Sequence, residues 1–311
     1  MSEILVSISC LTYNHAPYIR QCIEGFLMQK TTFPFEILIH DDASTDGTQD
    51  IVKEYQKMYP EIIKPLYRSK NLYSQGCRGM NRFNYDRAKG KYIAMCEGDD
   101  YWTDPLKLQK QIDFLEENSD FSGCTHACEV EYINENRRKK VRFKGKSEID
   151  FGYYLKKNPF FATASLLFKK EVVENYPEWT RNLFAGDFTL KYMILSKGKI
   201  KYFDESMSVY RRGVAGSWSK LKLTQERIDK EYRDDVLSLQ KINEMLNYRF
   251  TYESIIKSKK LFRTYLSRSI VASRGGEKIK LFLSNILLFR INDYKTLLQG
   301  SYKKLNSLIK K

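Results

Sequence analysis

The first 117 residues alternate short apolar runs with segments whose apolar residues recur at helical spacing. Four apolar runs, Leu5–Leu11, Ile37–His40, Ile62–Tyr67 and Tyr92–Cys96, have the length and composition of buried strands. The segments between and after them predict helices at about 17–27, 44–58, 78–87 and 105–117. This order predicts an α/β domain with a doubly wound, mostly parallel sheet and helices on both faces.

The pattern beyond residue 117 is less regular and then becomes helical. It predicts strands at 124–133, 160–168, 199–203 and 207–211, a helix at 184–197 and a basic loop at 137–146. From about Ser219 the spacing is helical to the end, and no proline follows Pro177, which is typical of a helical region. We therefore expect a first domain over residues 1–216 and a basic helical C-terminal region over residues 217–311.

The net charge of +15 is concentrated in the C-terminal region. Residues 217–311 hold 21 Lys and Arg against 9 Asp and Glu and so carry +12, whereas residues 1–216 carry only +3. A basic surface attracts anionic lipid headgroups, nucleic acid or a pyrophosphate-bearing substrate, and charge alone does not separate these partners.

The sequence contains no sign of export or of membrane insertion. No run of about 18 uncharged apolar residues is present, so no membrane-spanning helix is predicted. The N-terminal residues lack the basic region and cleavage site of a secretion signal. Six scattered cysteines in such a chain are expected to be reduced thiols. These features predict a cytoplasmic protein.

Adjacent carboxylates follow two of the predicted strands. Asp41 and Asp42 end the second strand, and Asp99 and Asp100 follow the fourth. In open α/β sheets, ligands bind at the carboxyl ends of the strands, and hard divalent cations prefer oxygen ligands beside phosphates. An isolated Asp pair is more often a turn or a helix cap, but Asp104 is available to cap the next helix. Two pairs in one sheet therefore predict a metal–diphosphate site.

Four motifs occur in an order and at spacings that resemble the family 2 glycosyltransferases. They are VSISCLTYN at 6–14, DDASTDGT at 41–48, GKYIAMCEGDD at 90–100 and AGD at 185–187. Each motif alone is loose, whereas the set is specific, and the resemblance covers about residues 3–215. It implies an inverting, nucleotide-sugar-dependent enzyme of the Rossmann-like GT-A fold. The nucleotide-sugar half would occupy about residues 1–102 and the acceptor half about residues 103–216.

The resemblance assigns the residues after the first two strands to the nucleotide. Tyr13 matches the aromatic residue that stacks on the uracil ring, and Thr12 and Asn14 shape the same turn. Asp42 matches the carboxylate that accepts a hydrogen bond from the base, and Asp41 lies beside it.

The later motifs imply the metal ligand and the catalytic base. Asp100 matches the metal-binding position, where Mn²⁺ or Mg²⁺ would neutralise the leaving nucleoside diphosphate, and Asp99 is assigned to the ribose or the sugar. Asp187 matches the general base that deprotonates the acceptor hydroxyl. Arg78 and Arg82 are assigned to the phosphates or the donor sugar.

The acceptor side is implied by fewer residues. Gly186 stands where the family usually has Glu before the base, and Trp102 is the aromatic candidate for stacking on an acceptor sugar. The Gln-x-x-Arg-Trp motif of processive polysaccharide synthases is absent, which favours a single-addition transferase. The implied donor is a UDP-sugar. The implied acceptor is a saccharide or a lipid-linked saccharide in the synthesis of a surface polysaccharide, capsule or O-antigen.

Two other classes of protein explain parts of the sequence. A sugar-nucleotide pyrophosphorylase shares the α/β sheet but requires a glycine-rich loop with Arg and Lys after the first strand, and residues 12–18 contain none of these. A nucleic-acid-binding protein would explain the basic tail, but paired aspartates repel phosphates. We therefore expect no nucleic-acid partner. Cys124, His126 and Cys128 supply three local ligands, one too few for a typical zinc site.

The basic C-terminal region contains an apolar segment, Ile279–Ile291, flanked by lysines and an arginine. It is too short to span a bilayer but suits a helix lying in the membrane interface. Such a helix would dock the enzyme on the inner face of the cell membrane, beside a lipid-pyrophosphate acceptor. The equal alternative is packing on the catalytic domain or on a second subunit of a homo-oligomer.

Overall fold

The structure is a computed structural model that describes residues 3–174, 176–180, 183, 186–215, 217 and 224–272, without the side chains of residues 187 and 271. The chain divides into two compact units, Met1–Leu221 and Lys222–Lys311. Among the described residues, no helix is both long and apolar enough to cross a bilayer.

The first unit is built, over its described residues, around one ten-stranded sheet. Its strands are β1 (Val6–Thr12), β2 (Phe35–Asp41), β3 (Ile63–Tyr67), β4 (Tyr92–Met95), β5 (Tyr101–Trp102), β6 (Phe121–Tyr132), β7 (Arg137–Val141), β8 (Glu148–Ile149), β9 (Leu167–Lys169) and β10 (Lys199–Arg212). Its helices are α1 (Ala16–Leu27), α2 (Thr48–Met58), α3 (Arg82–Tyr85), α4 (Lys107–Glu117), α5 (Phe151–Lys157), α6 (Glu171–Glu174) and α7 (Gly186–Lys197).

The N-terminal half of the sheet has the predicted architecture. β3, β2, β1 and β4 lie side by side in this order and are all parallel. β1, β2 and β4 are buried on both faces, with Ile8, Ile39 and Ala94 at zero exposure, so even the polar residues Ser7 and Glu36 of these strands lie out of contact with water. Because the strands are parallel, the loops after β1, β2 and β4 meet at one edge, and the predicted α/β fold is confirmed.

The sequence of α1 explains both where this helix begins and which of its faces packs on the parallel half of the sheet. Pro17 lies in its first turn, where a missing N–H costs no helical hydrogen bond. Ile19, Cys22, Ile23 and Phe26 repeat every three or four residues and are fully buried against the sheet.

The second half of the sheet is mixed rather than parallel. β9 pairs antiparallel with both β4 and β6, and β10 is parallel to β6 but antiparallel to β5 and β8. The strand predicted at 160–168 is wrong, because a 3₁₀ helix at Thr163–Ser165 precedes the short strand β9. The two strands predicted at 199–203 and 207–211 form the single strand β10, which register shifts interrupt.

Two further predicted boundaries are wrong. The basic loop predicted at 137–146 contains β7, which pairs antiparallel with β6 after a turn in which Asn136 has a φ of 43°. An edge strand rich in lysine and arginine is a common protection against aggregation, but it has no apolar period to reveal it. The helix predicted at 78–87 shortens to α3, since residues 77–79 have no regular structure and residues 80–81 and 86–87 form turns.

The second unit contains, in its described part, helices α8 (Gln225–Met245) and α9 (Thr251–Ala272), so the expected helical region is confirmed this far. The side chain of Thr224 caps α8 by accepting a hydrogen bond from the Arg227 amide. Glu231 on α8 forms two ion pairs: its Oε1 lies 2.7 Å from Arg227 Nε, and its Oε2 lies 2.5 Å from Nη1 of Arg268 on α9. The segment Ile279–Ile291 lies outside the described residues.

Candidate active site

A cavity of about 430 Å³ opens at the edge where β1, β2 and β4 end. This volume lies in the range of small-molecule sites. Eight of the residues singled out from the sequence line it: Thr12, Tyr13, Asp42, Arg78, Arg82, Asp99, Asp100 and Gly186. Further residues of its wall are Leu11, His15, His40, Tyr73, Gly79, Met80, Asn81, Tyr85, Met95, Glu97, Thr163, Tyr176, Thr180, Leu190, Tyr210, Arg211 and Ser217.

The loop after β1 presents an aromatic ring to the cavity. Tyr13 is 41% exposed although it stands directly after a buried strand. The next residue, Asn14, adopts a left-handed conformation with a φ of 53°, and its side-chain oxygen accepts a hydrogen bond from the Thr45 amide at 2.8 Å. Asn14 does not line the cavity, and this hydrogen bond stabilises the loop after β1. Its own amide donates to Ser44 Oγ at 2.9 Å, which fixes the turn from both directions.

The first aspartate pair divides into a structural residue and a cavity residue. Asp41 is fully buried away from the cavity, where Oδ1 accepts hydrogen bonds from the Ser44 amide and the Gln49 side chain. Asp42 lines the cavity, and its two oxygens accept the amides of Leu72 at 2.8 Å and Tyr73 at 3.1 Å. Each carboxylate oxygen has two lone pairs, so Asp42 keeps the capacity to accept a further hydrogen bond from a ligand.

Arg78 and Arg82 bring positive charge to the same wall. The guanidinium of Arg78 lies 4.1 Å from the centroid of the Tyr73 ring and donates to the Tyr73 and Cys77 carbonyls. Arg82 lies 3.9 Å from Asp86, and its buried Nη1 has no hydrogen-bond partner among the described residues. Guanidinium groups suit the oxygens of a diphosphate, because each presents several N–H donors in a planar fork.

The loop after β4 packs tightly on the loop after β1. A Cβ added to Gly98 would lie 2.7 Å from Thr12 Oγ1 and 3.0 Å from His15 Nδ1, so only glycine fits here without movement. The two backbones are joined by the Gly98 amide, which donates to the Leu11 carbonyl at 2.8 Å. This contact brings Asp99 to the same cavity wall as Tyr13.

His15 faces Asp99 within this junction. Its Nε2 lies 3.9 Å from Asp99 Oδ2, and its Nδ1 has no partner among the described residues. Burial lowers the pKa of His15 from its ordinary value, while the charge of Asp99 acts in the opposite direction. A neutral imidazole can donate one hydrogen bond to a bound ligand and accept another.

Asp100 is the most enclosed carboxylate of the cavity. It is 1% exposed, and its Oδ1 accepts the backbone amide of Arg211 at 2.8 Å. Burial raises the pKa of Asp100 well above its ordinary value, and the neighbouring charge of Asp99 adds to this shift. A cation bound at these carboxylates would relieve both effects.

The donor set at this point fits a hard divalent cation only in part. Among the described residues, no group of three or more His, Cys, Asp and Glu side chains is arranged to hold a metal ion. Asp99 and Asp100 nevertheless supply carboxylate oxygens at one point of the cavity wall. Mg²⁺ and Mn²⁺ commonly take one or two carboxylates and complete their coordination with substrate phosphates and water. The residues present therefore fit a metal that binds together with a diphosphate.

Three residues singled out from the sequence do not reach the described cavity wall. Trp102 is 2% exposed and packs edge-on against Phe26, and its Nε1 donates to the Ala164 carbonyl at 2.9 Å. It is a core residue, so no acceptor sugar can stack on it. Asn14 and Asp41 support the loops, as described above. Asp187 stands at the start of α7 directly after the cavity residue Gly186, and its side chain lies outside the described residues.

Arg211 is the main residue of this wall that the sequence did not reveal. Its Nη1 donates to the Asp99 carbonyl at 2.9 Å, its Nη2 donates to Gln21, and its Nε lies 3.2 Å from Glu131. The side chain is 5% exposed, and its position at the end of the apolar segment 207–211 was the only available signal. Arg211 thereby fixes the Asp99–Asp100 turn to β10.

Comparison with known proteins places the chain in a family. Residues 7–177 match the family described as Glycosyl transferase family 2. A protein of Mycobacterium tuberculosis without assigned function is 36% identical over 216 residues, which cover 68% of this chain and 60% of that protein. WfaP of Escherichia coli, named a UDP-Glc:α-D-GlcNAc-diphosphoundecaprenol β-1,3-glucosyltransferase, is 32% identical over 70% of this chain and 81% of its own length. The chain belongs to glycosyl transferase family 2, as its motifs predicted.

Solved structures agree on the fold. TarS of Staphylococcus aureus, residues 1–349 with UDP-GlcNAc, has a TM-score of 0.58 and 16% identity, covering 97% of this chain and 92% of that one. The mannosyltransferase PcManGT of Pyrobaculum calidifontis, with GDP-Man and Mn²⁺, has a TM-score of 0.52 and 15% identity, covering 98% and 88% of the two chains. The expected GT-A fold is therefore confirmed. The chain spans about 60% of the length of its mycobacterial relatives.

Proposed function

We propose that this protein is an inverting glycosyltransferase that moves a sugar from a nucleotide-sugar donor to a hydroxyl group of a saccharide or lipid-linked acceptor. The observation that carries the proposal is the shared cavity of Tyr13, Asp42, Asp99 and Asp100, which come from three separate loops of a family 2 chain. These side chains match the parts of a nucleotide-sugar donor. The aromatic ring and the Asp42 carboxylate suit the nucleobase, and the Asp99–Asp100 pair suits the diphosphate with its metal ion.

The nucleotide would lie between the loops after β1 and β2. The exposed ring of Tyr13 offers a face for stacking on a pyrimidine, a contact that stabilises base binding by about 1–3 kcal/mol. Asp42 would accept the ring N–H of uracil with its remaining lone pairs. Arg78 and Arg82 would donate hydrogen bonds to the diphosphate from the adjoining wall.

The metal would be held by Asp100, with Asp99 at the ribose or the sugar. When bound, Mn²⁺ or Mg²⁺ supplies charge neutralisation for the departing nucleoside diphosphate. The chain's own contribution is to hold the two carboxylates in place through Arg211 and through the Gly98 contact.

Asp187 would act as the general base. It stands at the N-terminus of α7, one residue after Gly186 and three before Leu190, and both of these line the cavity. A carboxylate here would take the proton from the acceptor hydroxyl as its oxygen attacks the anomeric carbon. Direct attack on the face opposite the leaving diphosphate inverts the anomeric centre, so an α-linked donor gives a β-linked product.

The relatives guide the proposed substrates. WfaP is named for UDP-Glc and a diphosphoundecaprenol-linked sugar, and TarS was solved with UDP-GlcNAc. We infer that the donor here is a UDP-sugar and that the acceptor is a saccharide, carried on a lipid, of a surface polysaccharide. Contact with the inner membrane face through the basic C-terminal region, and a homo-oligomer, belong to the same proposal.

A panel of nucleotide sugars tests the assignment. Each donor is incubated with the full chain and Mn²⁺ or Mg²⁺, and release of the nucleoside diphosphate is measured. We expect metal-dependent turnover of at least one UDP-sugar and a loss of more than about tenfold in Tyr13→Ala. The matched control is Tyr59→Ala, since Tyr59 is 40% exposed but outside the cavity wall. Absence of turnover with every donor would overturn the proposal.

A further inference from the structure

One face of the sheet beside the cavity carries cations and aromatic rings together. β6 and β7 form a hairpin in which Arg137 lies opposite Tyr132 and Lys139 lies opposite Val130. Residues directly opposite each other project from the same face of a sheet. Arg137, Tyr132 and Lys139 therefore share a face.

Strand β10 extends this face to the cavity. In its parallel pairing with β6, Arg212 lies beside Tyr132 and Tyr210, a cavity residue, lies beside Val130. The guanidinium carbons of Arg137 and Arg212 lie 3.9 Å and 5.9 Å from the centroid of the Tyr132 ring. The hairpin face is defined by Tyr132, Arg137, Lys139, Phe160, Tyr210 and Arg212.

Phe160 completes the face at the rim of the cavity. Its ring centroid lies 6.2 Å from that of Tyr210, and the residue is 52% exposed. Ile133, at the tip of the hairpin, is 36% exposed. Two large apolar side chains, one in the hairpin turn and one beside Tyr210, thus remain in contact with water.

The opposite face of the same hairpin is neutralised by carboxylates. Arg138 lies 2.6 Å from Glu131, and Lys140 stands directly opposite Glu129. This pairing leaves little positive charge on that side.

The hairpin face is different. Arg137 has one exposed partner, Glu135, at 2.8 Å. No carboxylate in the described part of the chain lies within 4.0 Å of Lys139 or Arg212. Positive charge is therefore left unpaired on the side where the cavity residue Tyr210 projects.

We propose that the hairpin face docks on an anionic phospholipid surface. Lysine and arginine near the headgroups, with tyrosine and exposed apolar side chains at the boundary, are the composition of a membrane-interface contact. A soluble polyanion would use the cations but would gain nothing from exposed Phe160 and Ile133. The inference rests on the proposed function, because docking here would bring the cavity rim at Tyr210 to the leaflet that holds a lipid-linked acceptor.

Vesicle flotation of the full chain tests this proposal. Vesicles of phosphatidylglycerol with phosphatidylcholine are compared with pure phosphatidylcholine, for the wild type and for Arg137→Gln combined with Lys139→Gln. Each cation near an anionic surface strengthens binding by roughly fivefold, so the double variant should bind the anionic vesicles at least about tenfold more weakly. Lys30→Gln with Lys57→Gln removes the same charge from exposed lysines elsewhere and should bind like the wild type.

Three outcomes would overturn the proposal: equal flotation of the double variant and the wild type, flotation that does not require phosphatidylglycerol, or no flotation of the wild type. Loss of heparin binding with unchanged flotation would assign the face to a soluble polyanion instead. Hydrolysis of the donor in solution, measured in parallel, reports on the proposed function alone. The double variant should keep that hydrolysis, because neither residue lines the cavity.

Discussion

The backbone amide of Arg211 donates a hydrogen bond to Oδ1 of Asp100, at 2.8 Å. The side chain of the same arginine donates to the Asp99 carbonyl, and its guanidinium carbon lies 5.0 Å from the centroid of the Tyr18 ring and 4.4 Å from that of the Tyr101 ring. Strand β10 is thereby attached at two points to the turn that holds the carboxylate pair. The position of the proposed metal ligand thus depends on a residue 111 positions away in the chain.

Replacing Arg211 by lysine should reduce turnover more than it reduces donor binding. Lysine cannot reach the Asp99 carbonyl, Gln21 and Glu131 together, so the aspartate turn would shift. A displacement of about 1 Å at a reacting centre lowers the rate on the order of 100-fold. Steady-state kinetics should show this loss in kcat, with a much smaller change in the KM for the donor. Arg138→Lys, which alters the other partner of Glu131, is the control and should leave kcat near the wild-type value.

Gly98→Ala should impair both folding and donor binding. The new methyl group would lie 2.7 Å from Thr12 Oγ1 and 3.0 Å from His15 Nδ1, so the loops after β1 and β4 must separate. Overpacking of this kind lowers the free energy of unfolding by about 1–3 kcal/mol. Thermal unfolding would measure the loss. Gly186→Ala is the control for stability, because an added Cβ there meets no atom of the described residues within 4 Å. Equal melting temperatures for both variants would refute the tight contact.

Lys107 makes the stability of the protein depend on pH above neutrality. It is fully buried, its Nζ donates to Gln111 at 2.8 Å, and it lies 4.0 Å from the centroid of a Trp102 ring. Burial lowers its pKa from 10.5 to about 7. Since the pKa in the folded state is the lower one, the unfolded chain binds more protons between pH 7 and 10.5. The contribution of Lys107 to the free energy of unfolding should therefore rise with pH in this window, by up to about 1.4 kcal/mol per pH unit.

Urea unfolding of the wild type and of Lys107→Met at pH 7.0 and 8.5 measures this contribution. Buried thiols such as Cys96, whose pKa burial raises to about 11, act in the opposite direction as the unfolded thiols ionise. The difference between the two proteins cancels that effect. The wild type should gain stability relative to Lys107→Met as the pH rises, whereas Lys30→Met, at an exposed lysine, should follow the wild type. A constant difference would contradict the buried, neutral form of Lys107.

The sequence allowed prediction of the half of the fold that parallel strands build. Strands β1, β2 and β4 are buried on both faces, so each is a mainly apolar segment that ends where the polar cavity residues begin. The hairpin strand β7 was missed, because a strand of arginines and lysines at the edge of a sheet has no apolar alternation.

The sequence predicted which loops form the candidate site, but not which side chains of each loop face the cavity. Asp41 and Asp42 are adjacent in the sequence, and the motif does not distinguish their roles. Because successive side chains of a strand point to opposite faces, only Asp42 lines the cavity, whereas Asp41 bonds to the Ser44 amide. Trp102 was assigned to the acceptor because it follows the aspartate pair, yet its indole points into the core. Arg211 was missed because its contacts depend on tertiary packing rather than on neighbouring residues.

Calorimetric titration of UDP in the presence of Mn²⁺ tests the central claim most directly, for the wild type and for Asp100→Asn. The amide is close in size to the carboxylate and can still accept the Arg211 amide, so the change removes chiefly the charge that would hold the cation. We predict one metal-dependent UDP site in the wild type and an affinity at least about tenfold lower in Asp100→Asn. Equal affinity in the two proteins, or no UDP binding by the wild type, would contradict a metal–diphosphate site at this cavity.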